Sequence, residues 1–181
     1  MLIGLCGAAG SGKDSVADPL VRDHGFVRAA FADALKDIAR REFGWDGRKD
    51  HRGRRLLQVL GTEAGRAYNP DIWIDKLRTR LAQTREPLIV VPDVRFINEA
   101  AMIRASGGYL VRVVGRRGYY EVDWKKPWTW IQILNPRRWH RSEREQHWIR
   151  VDTELDNSGG LGDLDGRVKA LVVDLENGRP A

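Results

Sequence analysis

A stretch near the start of the sequence has residue types and spacing that suit phosphate binding. Glycines at positions 7, 10 and 12 let the backbone take positive φ, so that successive N–H groups can point at phosphate oxygens. The lysine that follows can reach the outer phosphates of a nucleotide, at the positive end of the next helix. We therefore predict that phosphates are bound by Ala8, Ala9, Gly10, Ser11, Gly12, Lys13, Asp14 and Ser15.

The residue after the lysine departs from the usual form of such a loop. A serine or threonine there normally offers its hydroxyl to Mg²⁺, whereas this chain has Asp14 and places a hydroxyl one position later, at Ser15. A carboxylate is also a good ligand for a hard cation, directly or through water. An acid is equally favourable in the first turn of a helix, and the residue types leave both roles open.

A second acidic position follows the most apolar run of the chain. Asp93 comes directly after residues 87–92, with Arg95, Asn98 and Glu99 close behind. An acid at that place could hold Mg²⁺ through water or orient a second substrate. Alternatively, Asp93 caps the next helix and its neighbours form surface ion pairs, which contribute little to stability. The clustering of acids with an arginine favours the functional role.

Two arginines could act on a transferred group. Arg116 and Arg117 follow the apolar run 109–114, and an arginine there could neutralise charge in a phosphoryl-transfer transition state, an effect worth about 10³–10⁵ in rate elsewhere. Otherwise both are solvated residues at the start of a loop. No Ser-His-Asp triad, Cys-His pair or His/Cys metal spacing is evident, which fits transfer to a phosphate oxygen that needs no strong general base. The predicted catalytic residues are Lys13, Asp93 and Arg116.

Apolar runs alternate with helical periodicity along the chain. This alternation predicts an α/β fold with right-handed crossovers and a parallel sheet covered by helices on both faces, a three-layer α/β/α arrangement. In such sheets ligands bind at the carboxyl ends of the strands. Gly7, Asp33, Asp93 and Gly115 each follow directly on a predicted strand, so we expect them to face one cleft.

The first part of the chain allows several local predictions. The helix after the glycine loop should end at Gly25, and Pro19 inside it should kink or shorten it. A second strand is predicted over 26–30, and the helix after it should bury Phe43 among its inward residues.

The middle of the chain is more polar. Residues 44–55 are strongly basic and form either a mobile loop over the site or a solvated surface. A helix is predicted from Leu56 and broken near Gly65, and Asn69-Pro70 is typical of an N-cap with proline at the first helical position. The final helix should bury Leu164, Val168, Leu171, Val172 and Leu175, which recur at the helical period.

Length and composition limit the classes of protein that fit. With 181 residues, of which 42% are hydrophobic and 31% charged, the chain should form one soluble globular domain. No run has the length of a signal or membrane segment. The single cysteine, Cys6, suggests a buried apolar residue in a reducing compartment such as the cytoplasm. The net charge of +6 suits an anionic partner without separating nucleotides from nucleic acids.

Several motifs together resemble the phage-type deoxynucleoside monophosphate kinases. That family also has an acid after the loop lysine, as this chain has within 10–15, and the similar motifs occur in the same order over most of the chain. The longest and most specific block is 54–63, RRLLQVLGTE. The remaining motifs lie at 31–36, 71–73, 90–95, 140–143 and 155–157.

The resemblance implies a P-loop NTPase fold of the nucleoside monophosphate kinase type, with a lid insertion. It also implies transfer of the γ-phosphoryl group of ATP to a deoxynucleoside 5′-monophosphate with Mg²⁺, for which Asp14 and Asp93 are the candidate ligands. Trp73 could lie against the base or belong to the core, since an aromatic residue at helical spacing serves either purpose. The acceptor set is Asp33, Lys36, Arg55, Gln58, Trp73, Asp93, Arg95 and Glu99.

Two segments differ in character from the rest. We expect 44–70 to be a helical, basic insert on the acceptor side and 116–148 to be a lid or a tryptophan-rich insertion. Five of the seven tryptophans fall within 118–148, which suits a lid or the interface of a homodimer because exposed tryptophans are a liability. Interleaved aromatic and basic residues would also suit single-stranded nucleic acid or a membrane surface.

Two other functions compete with deoxynucleotide phosphorylation. One is a P-loop kinase for a different phosphorylated metabolite, and the other is a nucleic-acid-binding ATPase that uses the tryptophan-rich segment. The chain is short for a motor core, and Asp93 has no adjacent acid to act as a catalytic glutamate. We therefore expect nucleotides as partners, no nucleic acid and no membrane, in the cytoplasm of the host if the protein is encoded by a phage.

Overall fold

The computed structural model describes residues 1–48, 50–115 and 145–178. The chain divides into two compact units. The first, which we call the sheet unit, comprises Met1–Arg28 and Pro87–Ala181. The second, which we call the helical unit, comprises Ala29–Glu86.

The described elements alternate between strand and helix in the sheet unit and are all helical in the helical unit. The strands are β1 (Leu2–Cys6), β2 (Val27–Arg28), β3 (Ile89–Val91), β4 (Tyr109–Gly115) and β5 (Thr153–Asn157). The helices are α1 (Lys13–His24), α2 (Ala32–Phe43), α3 (His51–Gln58), α4 (Ile72–Gln83), α5 (Ile97–Ala105) and α6 (Leu161–Glu176). A π-helical segment at Val59–Arg66 and a 3₁₀ turn at Gln146–Trp148 complete the list.

The sheet has five parallel strands in the order β2-β3-β1-β4-β5, which confirms the predicted α/β fold class. The central strand β1 is buried along its whole length, because it has a strand on each side and helices over both faces. On one face Ile3 and Leu5 pack with residues of α1 and α6. On the other face Gly4 allows α5 to approach closely, since a Cβ there would lie 3.2 Å from Ile103 Cγ1. Side chains buried this completely each contribute about 1.5–3 kcal/mol to folding.

The helical unit is held together by a small core around one tryptophan. Trp73 on α4 is 4% exposed, and its Nε1 donates a hydrogen bond to the carbonyl of Gly61, 2.8 Å away. Gly61 also lies against α2, where a Cβ would be 2.8 Å from Leu35 Cδ2. The close approach of α2, α4 and the π-helical segment therefore depends on a glycine at their junction.

Two expectations about the first helix had different outcomes. The helix ends at Gly25 as predicted, with the glycine at φ +71° and its N–H bonded to the carbonyl of Leu20. Of the two effects predicted for Pro19, shortening does not occur, because the helix continues to His24, and a kink stays a prediction. Proline removes only one backbone hydrogen bond, and burial of Pro19 beside Val16 and Leu20 offsets that loss.

The second strand is shorter than predicted, and Phe43 is not buried. Strand β2 covers only Val27–Arg28, both exposed, because it is an edge strand that pairs with β3 alone. Phe43 is 55% exposed. It is the last residue of α2, next to Gly44 at φ +61°, where the helix ends.

The basic stretch and the segment after it are largely helical. Helix α3 begins at His51, inside the predicted loop, because the Asp50 side chain accepts a hydrogen bond from the Gly53 N–H at 2.7 Å and caps it. Helical conformation also continues past Gly65, where a Cβ would lie 2.8 Å from Trp73 Cζ2. A glycine at that position therefore makes room for the tryptophan, and the π-helical segment ends one residue later, at Arg66, near the predicted break.

The start of α4 was predicted two residues early. Asn69 does not cap the helix, because its Oδ1 accepts a hydrogen bond from the Asp71 N–H at 2.9 Å and closes a turn before it. Asp71 is the N-cap residue. The prediction for the last helix was correct, and its five periodic apolar residues are all buried in the core. Among the described residues, no helix is both long and apolar enough to cross a membrane.

Adjacent valines on α6 provide a matched test of the core. Val172 is 5% exposed and Val173 is 46% exposed. We expect Val172→Ala to lower the free energy of unfolding by about 2 kcal/mol, since it removes two buried methyl groups and leaves a cavity. Val173→Ala makes the same change in helix propensity and should alter stability by less than about 0.5 kcal/mol. Urea unfolding of both variants measures the difference, and equal losses would contradict this packing.

Cys6 provides a test of burial at the end of β1. Burial raises the pKa of its thiol, although nearby Arg112 and Lys13 act in the opposite direction. The folded chain therefore keeps this proton when the unfolded chain loses it, above a pH of about 8.5. Since the unfolded state then binds fewer protons, the contribution of the buried thiol to stability is present below that pH and is lost as pH rises.

We expect the free energy of unfolding of the natural protein to fall at alkaline pH relative to that of Cys6→Ala. The cavity left by the substitution has a cost that does not depend on pH. Urea unfolding of both proteins from neutral to alkaline pH measures the effect. A difference in stability that stays constant with pH would show that the thiol is not shielded in the folded state.

Candidate active site

The loop between β1 and α1 has the backbone that its glycines predicted. Gly7, Gly10 and Gly12 have φ values of +133°, +83° and +91°, a region that other residues rarely enter. Two of them are also required by close packing. A Cβ on Gly7 would lie 2.4 Å from the carbonyl oxygen of Val113, and one on Gly12 would lie 1.9 Å from Asn157 Nδ2.

Lys13 folds back across this loop. Its ammonium donates hydrogen bonds to the carbonyls of Gly7 at 2.6 Å and Ala8 at 2.9 Å. The loop is tightened further by a bond from the Ser11 N–H to the Ala8 carbonyl at 3.1 Å. The positive charge thus lies over the loop and beside the N-terminus of α1, where the helix dipole also favours an anion.

Ser11 is an unsatisfied polar residue inside the loop. It is 1% exposed, and within the described part of the chain its Oγ has no hydrogen-bond partner. A buried hydroxyl without a partner costs about 1–3 kcal/mol. Such costs are tolerated where a backbone is held in place for function.

Asp14 lies at the surface in an ion pair with Arg28, which comes from the end of β2. The two side chains are 68% and 41% exposed, respectively. This position suits the first-turn role that the sequence left open, because the carboxylate complements the helix dipole. Ser15, one residue later, is half-buried.

Asp93 lies at the same edge of the sheet as the loop. The N–H of Val94 donates to the carbonyl of Leu5 at 3.2 Å, which places Asp93 beside the end of β1. Gly7 directly follows β1 as predicted, whereas Asp93 comes two residues after the end of β3 and Gly115 is the last residue of β4. Because these strands are parallel, all three residues lie at this edge of the sheet. Asp33 does not follow a strand directly. It lies in the first turn of α2, in the helical unit.

The donor groups near the loop fit a nucleotide-bound Mg²⁺. In the described residues there is no cluster of three side chains that could hold a metal ion on their own. Mg²⁺ in nucleotide sites usually needs only one or two carboxylates, because water and phosphate oxygens complete its shell. Asp93, with Asp14 or the Ser15 hydroxyl, could supply that number.

Glu99 is buried and bonded to the backbone. It is 1% exposed, and its Oε2 accepts hydrogen bonds from the N–H groups of Arg95 at 2.7 Å and Phe96 at 3.1 Å. The carboxylate therefore caps α5 and fixes the turn between Asp93 and the helix. The Arg95 side chain is exposed. The role of Glu99 as an acceptor contact stays a prediction.

The helical unit brings two of the predicted acceptor residues together. Asp33 accepts a hydrogen bond from the Ala30 N–H at 3.0 Å and lies 3.7 Å from Lys36. Its strongest ion pair, at 2.7 Å, is with Arg80 from α4. Sequence reasoning missed Arg80, since nothing in an exposed helical arginine shows which distant acid it will meet.

The other predicted residues of the helical unit have different surroundings. Arg55 forms a two-pronged ion pair with Glu63, with N–O distances of 2.5 and 3.2 Å. Gln58 is exposed at the end of α3. Trp73 is buried in the core of the unit, which favours the second of its two predicted roles.

The predicted catalytic Arg116 and the segment 116–144 lie outside the described residues. The described part of the chain resumes at Glu145. There, Gln146 and His147 line a small pocket together with Gly7, Ala8 and Arg112. Neither side chain stood out in the sequence, because both lie within the tryptophan-rich segment without a motif of their own.

Comparison with known proteins agrees with this geometry. No family model matches the sequence. The chain is 32% identical over 144 residues to a protein of Acanthamoeba polyphaga mimivirus named "Putative deoxynucleotide monophosphate kinase", and the match covers 62% of this chain and 73% of that protein.

Solved structures share the fold at low sequence identity. Shikimate kinase from Aquifex aeolicus has a TM-score of 0.55 at 19% identity, and dephospho-CoA kinase from Campylobacter jejuni has 0.59 at 13%. Each comparison covers 98% of both chains. At these identities the likeness shows the fold alone, a P-loop kinase fold. The viral relative goes further, and together with the glycine loop it shows that this chain belongs to the deoxynucleoside monophosphate kinase family of P-loop kinases.

Proposed function

We propose that this kinase transfers the γ-phosphoryl group of ATP to a deoxynucleoside 5′-monophosphate and releases the diphosphate. The observation that carries the proposal is the viral relative, whose name states this class of substrate and which this chain covers over 73% of its length. The motif block 54–63 and the acid after the loop lysine support the same acceptor.

The donor is proposed to bind at the loop between β1 and α1. Positive φ at Gly7, Gly10 and Gly12 favours a backbone whose N–H groups face a phosphate, and Lys13 adds a full charge. The Lys13 ammonium now bonds to neutral carbonyls of Gly7 and Ala8. Anionic phosphate oxygens are stronger acceptors than these carbonyls, so ATP would draw the ammonium to its outer phosphates.

Mg²⁺ would be held by Asp93, directly or through water, with Asp14 or Ser15 as the second protein ligand. When bound, the ion neutralises charge on the donor phosphates. Arg28 competes for the Asp14 carboxylate, since the two already form an ion pair. Mg²⁺ binding by Asp14 would therefore have to displace Arg28 from that carboxylate.

The acceptor is proposed to lie near Asp93 and Arg95, on the turn that Glu99 holds in place. Its phosphate oxygen is already anionic near neutral pH, so positioning and charge neutralisation supply the rate without a strong general base. Arg116 is the proposed source of additional charge on the transferred group. Asp33, Lys36, Arg55 and Gln58 are proposed as further acceptor residues. Trp73 is left out of this proposal because it is buried.

Replacing the loop lysine tests the donor site. Lys13→Met keeps the length of the side chain and removes the charge, and we expect the kcat to fall by at least about 100-fold. The matched control is Lys169→Met, an exposed lysine on α6, which should retain full activity. The assay couples ADP release to dAMP, dGMP, dCMP, dTMP and their ribose counterparts. Folded natural protein that phosphorylates none of these acceptors would overturn the proposed function.

Replacing Asp93 tests the acceptor and metal role. Asp93→Asn preserves size but removes the charge, and we expect kcat/KM for the acceptor to fall about 100-fold with a higher requirement for Mg²⁺. Asp165→Asn is the control, since Asp165 is an exposed acid on α6 that pairs with Arg22. Unchanged acceptor kinetics in Asp93→Asn would contradict the assignment, whereas a loss in both variants would point to a general charge effect.

A further inference from the structure

The glycine loop is tied to the last strand by a single side chain. Asn157, the final residue of β5, donates a hydrogen bond from Nδ2 to the carbonyl of Ser11 at 3.0 Å. The two residues are 146 positions apart in the sequence. Asn157 pairs with Gly115 of β4 in the sheet, so the bond joins the end of the sheet to the part of the loop just before Lys13.

The bond fixes the direction of a backbone N–H group. All peptide bonds of the described residues are trans, and in a planar trans peptide the C=O and N–H point in opposite directions. Because the carbonyl of Ser11 points at Asn157, the N–H of Gly12 on the same peptide points away from β5. That side is the one on which the donor phosphates are proposed to bind.

Close packing around the Ser11–Gly12 peptide favours the orientation in which the Ser11 carbonyl faces Asn157. A Cβ on Gly115 would lie 2.5 Å from the Ser11 oxygen, and one on Gly12 would lie 1.9 Å from Asn157 Nδ2. Two glycines therefore make space for a carbonyl and an amide to meet. Rotating the peptide would break the hydrogen bond between the Asn157 side chain and the Ser11 carbonyl.

The residues next to Asn157 are also held in place. The Asp156 carboxylate accepts hydrogen bonds from the N–H and the hydroxyl of Ser158, both at 2.9 Å, and forms an ion pair with Arg167 at 2.6 Å. These contacts, the Ser158 hydroxyl first and Arg167 next, lower the pKa of Asp156 to about 2. The turn after β5 is thus anchored on its outer side while Asn157 reaches inward to the loop.

We propose that Asn157 is a positioning residue for the phosphoryl donor. Its amide holds the Ser11–Gly12 peptide so that the Gly12 N–H faces the phosphates of ATP before ATP arrives. The inference depends on the loop being the donor site, as in the proposed function, and does not depend on which acceptor is used. If the hydrogen bond between Asn157 and Ser11 had only a structural role, it would stabilise the fold without changing the affinity for ATP.

The test measures donor binding without any acceptor. We expect Asn157→Ala to raise the Kd of Mg-ATP by about five- to tenfold in calorimetry, since it removes one neutral hydrogen bond that orients the peptide. Asn157→Asp keeps the shape but replaces the donor with an oxygen that repels the Ser11 carbonyl, so its Kd should rise further. In steady-state kinetics the KM for ATP should rise while the KM for the acceptor stays unchanged.

The matched control is Asn177→Ala, the same substitution at the C-cap of α6, which should bind Mg-ATP like the natural protein. Thermal unfolding shows that each variant is folded at the temperature of the binding experiment. A lower Tm for Asn157→Ala with an unchanged Kd would overturn the proposal and leave a structural tie. Natural protein that binds ATP but phosphorylates no deoxynucleotide would overturn the proposed function and not this inference.

Discussion

Close packing of the glycine loop at the carboxyl end of β1 is the constraint on which the site depends. The loop after β1 runs so near the ends of β4 and β5 that a side chain on Gly7 or Gly12 would collide with Val113 or Asn157. The glycines thus allow positive φ and leave room for a neighbouring strand at the same time. Positive φ without close packing, or close packing without positive φ, would not hold the N–H groups of the loop in a fixed direction.

Charge is distributed around this loop in a way that suits an anion. The Lys13 ammonium lies across the loop on two carbonyls, where the dipole of α1 adds to its field. The nearest acid in sequence, Asp14, is ion-paired with Arg28 at the surface, and the buried charge of Glu99 is satisfied by backbone N–H groups. The ammonium of Lys13 and the dipole of α1 together make the loop a positive region that favours an anion.

Local patterns predicted much of the fold correctly and failed where neighbours decide. The continuous apolar run of β1 and the periodic residues of α6 identified a buried strand and a helix, because burial on given faces leaves a direct trace in the residue types. Local preference alone did not decide the conformation at Pro19 and Gly65, two residues that usually interrupt helices. There, packing against the core outweighed the local preference.

By itself, the sequence determined the phosphate loop, the alternation that leads to a parallel sheet, and the kinase family, since these depend on residues close together or on motifs in a set order. Only the tertiary structure decided that Trp73 is a core residue, that Asp14 pairs with Arg28, and that Asn157 reaches Ser11. Such contacts depend on strand order and register, which bring distant residues together. No local spacing encodes that geometry, because the partner of a polar side chain is set by the packing of the whole sheet.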